Sequence, residues 1–320
     1  MVYYLAPLEG ITGYLYRNVL EQCFGGADRY FAPFITPTRT CNFKSRELND
    51  LLPTHNEQIH LTPQLLTNNA SDFLYFTGKL REMGYEEVNL NLGCPSRTVV
   101  TKGRGAGFLA KPDALDAFLD QVFQQTEVRI SIKTRIGKES PEEFEGLLEI
   151  YNRYPLTELI VHPRLQTDYY RNHPNLALFQ QAVENCHHPL CYNGDLFTVQ
   201  DVEQFQQRFP QVERLMLGRG VIANPALLRM LKGGKALTKE ELRTFHDQIK
   251  ERYREVLYGE RPLLFKMKEL WNYQICLFQD GERYAKRIRK ANHLGDYEAA
   301  VSDLFRDCDL RPGGGYVPQT

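Results

Sequence analysis

What this sequence has little of sets the first limits. No uninterrupted apolar run approaches the ~18 residues of a membrane-spanning helix. The N-terminal MVYYLAPLEG has neither the cationic start nor the long apolar core of a secretory leader. Seven cysteines, at 23, 41, 94, 186, 191, 276 and 308, are odd in number and never form a C-x-x-C pair, so neither a zinc knuckle nor a redox dithiol is in view and no metal is expected. An excess of one charge is missing as well. The 39 Lys and Arg stand against 40 Asp and Glu, so a polyanion must be bound by a local basic face and not by the molecule as a whole. Polar low-complexity tracts are absent, and with them any case for a disordered chain. The expectation is a cytoplasmic protein with reduced thiols, a monomer, without a membrane anchor.

What is present is a regular alternation. Eight short apolar runs, at 2–7, 29–35, 59–65, 86–92, 128–134, 158–163, 189–194 and 214–218, are separated mostly by amphipathic stretches such as SDFLYFTGKLREMG, PDALDAFLDQVFQQT and PEEFEGLLEIYNRYP. Ser71, Pro112 and Pro141 sit at suitable helix starts. Strands joined by single helices pair in parallel with right-handed crossovers, and eight such units in roughly 235 residues predict a closed (β/α)8 barrel, an α/β TIM barrel. Gly233 and Gly234 read as a linker, after which 238–310 reads as helices. The expected division is a barrel over 1–235 and a smaller helical domain over 236–320.

In such a barrel the chemistry sits where strands end. Those ends carry Pro7, Leu8 and Glu9, then Gln64, Asn91 with Cys94, Lys133 with Arg135, His162, Asn193-Gly194-Asp195 and Gly218-Arg219. Any one of these would ordinarily be a satisfied structural group. A barrel built only for packing has no reason to repeat polar groups along one rim. Cys94 stands out, because it lies between Gly93 and Pro95 directly after an alternating strand, where a buried structural thiol would lie inside an apolar run. Near the C-terminus, Arg283, Lys286, Arg287 and Lys290 recur at helical spacing and place four cations on one face with no acid among them, while Tyr284 and Ile288 mark the packing side. Such a stripe is either a solvated face or a surface for nucleic-acid phosphates.

Taken in order, APLEGIT, the PQL around Gln64, NLNLGCPSRTV, IKTRIG, the IVH ending at His162, YNGD and LGRG resemble the tRNA-dihydrouridine synthase family of flavoenzymes over residues 3–222. VHPR stands where that family usually has VHGR, and Leu8 where Met is common. The resemblance implies FMN, recharged by NADPH or alternatively NADH, and reduction of a uracil C5–C6 bond in tRNA. It implies that Gln64 and Lys133 contact the isoalloxazine, that Pro7, Leu8 and Glu9 pack on it, and that His162 touches the flavin or its phosphate. Asn193, Gly194, Asp195, Gly218 and Arg219 would hold the phosphate end. Cys94 becomes the proton donor to C5, with Asn91 at the uracil edge and Arg97 and Arg135 on the extruded nucleotide or its flanking phosphates. The four cations of 283–290 then face RNA. KGRGAG at 102–107 lacks the spacing of a dinucleotide loop and reads as a mobile substrate-side loop. Two other readings remain open at this point: an FMN barrel reductase of a free metabolite, and a non-catalytic RNA-binding protein. The remaining six cysteines read as inert.

Overall fold

A computed structural model describes residues 1–38 and 42–318; Cys41 lies outside them. Nine strands among the described residues form one sheet: β1 (Val2–Leu5), β2 (Arg29–Phe31), β3 (Leu61–Thr62), β4 (Gln64–Leu65), β5 (Glu87–Leu92), β6 (Arg129–Arg135), β7 (Glu158–His162), β8 (Leu190–Tyr192) and β9 (Arg214–Leu217). Their order is β3-β2-β1-β9-β8-β7-β6-β5-β4, with parallel pairing. Each of the eight apolar runs becomes a strand, and the third becomes two. Pro63 is the reason, since it has no N–H to give to a ladder. It separates β3, which pairs with β2, from β4, which pairs with β5, while its own carbonyl accepts from Asn89 N at 2.9 Å. The two ends of the sheet order are therefore neighbours in the chain, and this closes the barrel.

The strands β5 and β7 are buried at every residue, as parallel strands covered on both faces must be. The covering helices begin where local chemistry starts them. Pro112 opens the helix Pro112–Gln125, and Asn69 caps Ala70–Glu82 by accepting from Asp72 N at 2.8 Å, slightly earlier in the chain than Ser71 suggests. Thr198 and Asp201 form a reciprocal capping box for Val199–Arg208.

By compactness the chain falls into two units. One comprises Met1–Pro7, Arg29–Asp195 and Pro210–Met216; the other comprises Leu8–Asp28, Leu196–Phe209 and Leu217–Thr320. Beyond Gly234 the regular elements among the described residues are helical, with the long members Lys239–Val256, Glu260–Gln274, Glu282–Lys290 and Leu294–Asp307. A polar knot sits inside that second unit. Trp271 Nε1 donates to Tyr297 Oη at 2.8 Å, and Tyr297 Oη meets His246 Nε2 at 2.7 Å, with His246 Nδ1 at 2.8 Å from Asp247.

In the first unit, Glu158 starts β7 with its carboxyl buried. Tyr4 Oη donates to its Oε1 at 3.0 Å and Arg214 lies 3.3 Å away, but Oε2 has no partner among the described residues. Burial pushes this carboxyl up to about 7. A folded-state value above the unfolded one means that the native protein holds the extra proton, so Glu158 favours folding at low pH and that contribution is lost as pH rises through about 7. Glu158→Gln is therefore expected to raise the melting temperature at pH 8–9 and to change it little at pH 5. Thermal unfolding across that range checks this, and a difference independent of pH would refute it.

Candidate active site

The rim of the first unit is organised by a ladder of side-chain amides. Strand alternation sends Asn89 and Asn91 to one side of β5, and register sets Asn89 beside Gln64 of β4 and Ser131 of β6, with Asn91 beside Lys133. Asn89 Nδ2 donates to Ser131 Oγ at 2.9 Å, and Gln64 Nε2 donates to Asn89 Oδ1 at 2.8 Å. Asn91 Nδ2 donates to Gln64 Oε1 at 2.7 Å. Finally Asn91 Oδ1 accepts from Gly93 N at 3.0 Å and Cys94 N at 2.9 Å. Because two main-chain N–H groups require an oxygen there, the orientation of every amide below follows from the one above. All four residues are buried. Asn91, expected at the uracil edge, thus has both ends of its amide engaged in holding the Cys94 turn. Asn89 is a member that strand ends alone do not reveal, although the repeat N-L-N-L just before G-C-P already puts two amides on one strand face.

The turn is held from behind by the glycine run. Ala106 N donates to Cys94 O at 3.1 Å, and residues 105–107 are buried. Gly105 has φ +54, and a Cβ there would stand 2.8 Å from Cys94 O; one on Gly107 would stand 2.7 Å from Val100 O. Asn68 Nδ2 ties down the carbonyls of Lys102 and Gly103, both at 3.1 Å. Expected as a mobile substrate-side loop, this segment packs against the thiol turn, and its glycines allow an approach that no larger residue permits.

Two buried arginines brace the other side. Arg135 donates from Nε to Gly93 O at 3.0 Å, and from its terminal nitrogens to Leu165 O and Tyr169 O, both at 2.7 Å, with its guanidinium over the Tyr170 ring. Burial lowers it to about 10, so it remains a cation at neutral pH. It was expected on the nucleotide, but its donors go to main-chain carbonyls, and it ties the thiol turn to the loop after β7. Arg164, 1% exposed, grips Asp195 through both oxygens at 2.7 and 2.5 Å, reaches Arg171 O at 3.1 Å and Asn172 O at 2.6 Å, and meets His162 Nε2 at 3.2 Å. Since an arginine only donates, His162 Nε2 accepts and a neutral His162 carries its proton on Nδ1. Asp195, expected near phosphate, is in the structure the carboxylate partner of Arg164. Arg164 stands in the VHPR signature, but it lies two residues beyond the end of β7, where strand-end chemistry alone does not point.

Lys133 stands between these groups. Its ammonium has no hydrogen bond or ion pair among the described residues, and burial, helped by Arg135, lowers it to about 8, while the Cys94 and Cys191 thiols act in the opposite sense. Asn193 Nδ2 donates to Met216 O at 2.8 Å, and a Cβ on Gly194 would lie 2.0 Å from Tyr192 Oη, so glycine is required there. Pro7 ends β1's exit in this unit, and Arg97 lies exposed on the short helix after Cys94.

In the second unit, Leu8 N donates to Thr12 Oγ1 at 2.8 Å in a tight turn, with Glu9 exposed. Gly218 precedes the helix Arg219–Ala223, and the Arg219 guanidinium lies over the rings of Phe197 and Tyr316 at 5.1 and 5.2 Å. On Glu282–Lys290, Tyr284 and Ile288 are buried as the packing side. The stripe is less bare than its own helix suggests, because Asp303 from Leu294–Asp307 pairs with Arg287 at 2.8 Å. Arg283 stacks on Tyr284, and Lys286 and Lys290 are exposed.

Comparison with known proteins adds the following. The sequence profile of the family described as Dihydrouridine synthase (Dus) matches residues 4–303. A tRNA-dihydrouridine(16) synthase from Aquipseudomonas alcaligenes is 26% identical over 246 residues, 72% of this chain and 75% of that protein. A probable tRNA-dihydrouridine synthase 2 from Bacillus subtilis (strain 168) is 25% identical over 232 residues, 69% of each. Among solved structures, an old yellow enzyme homologue from Zymomonas mobilis superposes with TM-score 0.54 at 12% identity, covering 80% of this chain and 95% of that one. Morphinone reductase in complex with tetrahydroNAD gives 0.51 at 12% identity, covering 81% and 94%. At such identities the structural likeness is one of fold, and it agrees with the barrel.

Proposed function

The chain belongs to the dihydrouridine synthase family, and from that premise we propose that it reduces the C5–C6 bond of a uridine in tRNA, with FMN as its flavin and NADPH as the reductant. Relatives named as tRNA-dihydrouridine synthases support the RNA substrate. The observation that carries the reading is a thiol held in place by Asn91 beside a half-buried lysine that has no carboxylate partner among the described residues.

The residues fit an FMN. A half-buried ammonium such as Lys133 requires an acceptor, and the N1 and C2-carbonyl edge of an isoalloxazine is one. Bound FMN would supply the hydride for uracil C6. Cys94 Sγ holds the proton that goes to C5, on the other side of the same double bond. Asn91 and Arg135 keep that sulfur still, through the Cys94 N–H and the Gly93 carbonyl respectively. Gln64, the centre of the amide ladder, would contact the ring, and His162, held by Arg164 at Nε2, would contact flavin or phosphate. Within the first unit Pro7, Asn193, Gly194 and Asp195 would be flavin contacts; within the second, Leu8 and Glu9 would be ring contacts and Gly218 and Arg219 would be phosphate contacts. The absence of a Rossmann fingerprint in the sequence suits transient NADPH binding.

Residues 236–320 form the RNA-binding part in this reading. Arg97 meets nucleotides flanking the extruded uridine, and Arg283, Lys286, Arg287 and Lys290 meet backbone phosphates. Lys286 and Lys290 are the stronger members, because Asp303 already offsets Arg287. The protein acts as a cytoplasmic monomer.

The test is mass spectrometry of tRNA nucleosides from cells with and without the gene: one dihydrouridine position should revert to uridine, and an unchanged tRNA overturns the proposal. In the purified protein, Lys286→Gln with Lys290→Gln should weaken tRNA binding and flatten its dependence on log salt by roughly 0.7–0.9 for each phosphate that is no longer neutralised. An unaltered slope returns the stripe to a solvated face.

A further inference from the structure

The chain does not simply trail off after its last helix, Leu294–Asp307. Leu310 makes an antiparallel bridge with Phe278, Gln279 N donates to Asp309 O at 2.9 Å, and Arg311 N donates to Leu277 O at 2.7 Å. Arg311 Nε adds a bond to Phe278 O at 3.0 Å. Of the glycines that follow, one is set by its backbone conformation and another by lack of space. Gly313 has φ +65, and a Cβ on Gly315 would stand 2.4 Å from Phe197 O and 2.6 Å from Thr198 Cγ2.

This path delivers Tyr316 to one position. Its ring lies 5.2 Å from that of Phe197, tilted by 67°, and 5.5 Å from that of Tyr273. The Arg219 guanidinium sits against both Phe197 and Tyr316. Phe197 is itself fixed, since its N–H donates to Asp201 Oδ2 at 2.9 Å, at the cap of Val199–Arg208. The two ring centroids are 5.2 Å apart and 5.1 and 5.2 Å from the guanidinium carbon, so the rings stand side by side as an aromatic wall against which the arginine rests. A guanidinium held against such a wall loses less freedom when it meets a phosphate.

We propose that the C-terminal segment Arg311–Tyr316 is part of the phosphate-recognition machinery, with Tyr316 the positioning residue that, beside Phe197, holds Arg219 in place for the phosphate of the bound flavin nucleotide. The inference rests on the phosphate role given to Arg219 above. It explains the glycine directly before the tyrosine: a bulkier residue at 315 would meet Phe197 and Thr198 and lift the ring off the arginine. Tyr316 touches the arginine and not the reacting atoms, so its effect is on affinity for the phosphate and not on the reduction itself.

Riboflavin, which lacks the phosphate, separates this role from a merely structural one. Dissociation constants for FMN and riboflavin are measured by quenching of flavin fluorescence on apoprotein of the full chain. Tyr316→Ala should weaken FMN about five- to tenfold and leave riboflavin unchanged. Gly315→Val should do the same by displacing the ring, whereas Tyr316→Phe should bind both flavins as the parent does. Equal weakening of FMN and riboflavin, or no weakening of either, overturns the role of Tyr316. Arg219→Ala is the separate control: if it leaves the FMN-to-riboflavin preference intact, the phosphate reading of Arg219 fails, independently of the tyrosine. Thermal unfolding of each variant identifies any that has lost its fold, and Tyr316→Phe, which removes only a hydroxyl, still decides between stacking and a hydrogen bond from that group.

Discussion

Cys94→Ala is expected to cut dihydrouridine formation about 10²–10⁴-fold, the usual worth of a positioned general acid, while FMN stays bound and NADPH still reduces it. The split follows from where the thiol sits. Its main chain is locked to Asn91 Oδ1 and to Ala106 N, so removing Sγ disturbs neither the turn nor the amide ladder beneath it. Lys133 and Gln64, the proposed flavin contacts, remain in place. Single-turnover reduction of tRNA measured beside anaerobic bleaching of the flavin absorbance separates the two half-reactions. Full activity toward tRNA would remove Cys94 from the mechanism, and loss of flavin reduction would show that the thiol serves the flavin.

Arg164→Met should be the most destabilising substitution at the rim. Arg164 is 1% exposed and gives the Asp195 carboxylate two hydrogen bonds, while two carbonyls of the 171–172 turn depend on it. Removing one partner of a buried pair costs about 3–5 kcal/mol, because the other charge is left without compensation. That is a large part of a total stability of ~5–15 kcal/mol. Denaturant unfolding measures it, and a loss below about 1 kcal/mol would show that the pair is solvated well enough to be dispensable. The double variant Arg164→Met with Asp195→Asn should recover part of the loss, since the uncompensated carboxylate is then gone. FMN affinity should fall in the single variant as well, through the contact of Arg164 with His162 Nε2.

Much of the site could be read from chain order alone. In a parallel barrel the C-terminal end of every strand reaches the same rim, so Gln64, Asn91, Cys94, Lys133, His162 and Asn193 could be placed there without knowing how they meet. Local periodicity similarly predicted that Tyr284 and Ile288 would be buried and the cations between them exposed. Even the split of the third strand was visible in principle, because a proline inside an otherwise regular run marks a break in the ladder.

The sequence by itself determined the alternation of strand and helix, the count of apolar runs, the rim that carries polar groups, and a thiol held between glycine and proline; these follow from period, chain direction and turn chemistry, which act over a few residues. Tertiary structure alone decided which groups those side chains satisfy. The partners of Asn91 and Gln64 come from strand register, those of Arg135 and Arg164 from loops after other strands, that of Arg287 from Asp303 on the next helix, and the ring over Arg219 from the far end of the chain. A donor's type is written at its own position, but the acceptor it meets is set by how distant segments pack. Burial then strongly favours that pairing, because a polar group left unpaired inside the fold is costly, as the raised carboxyl of Glu158 shows.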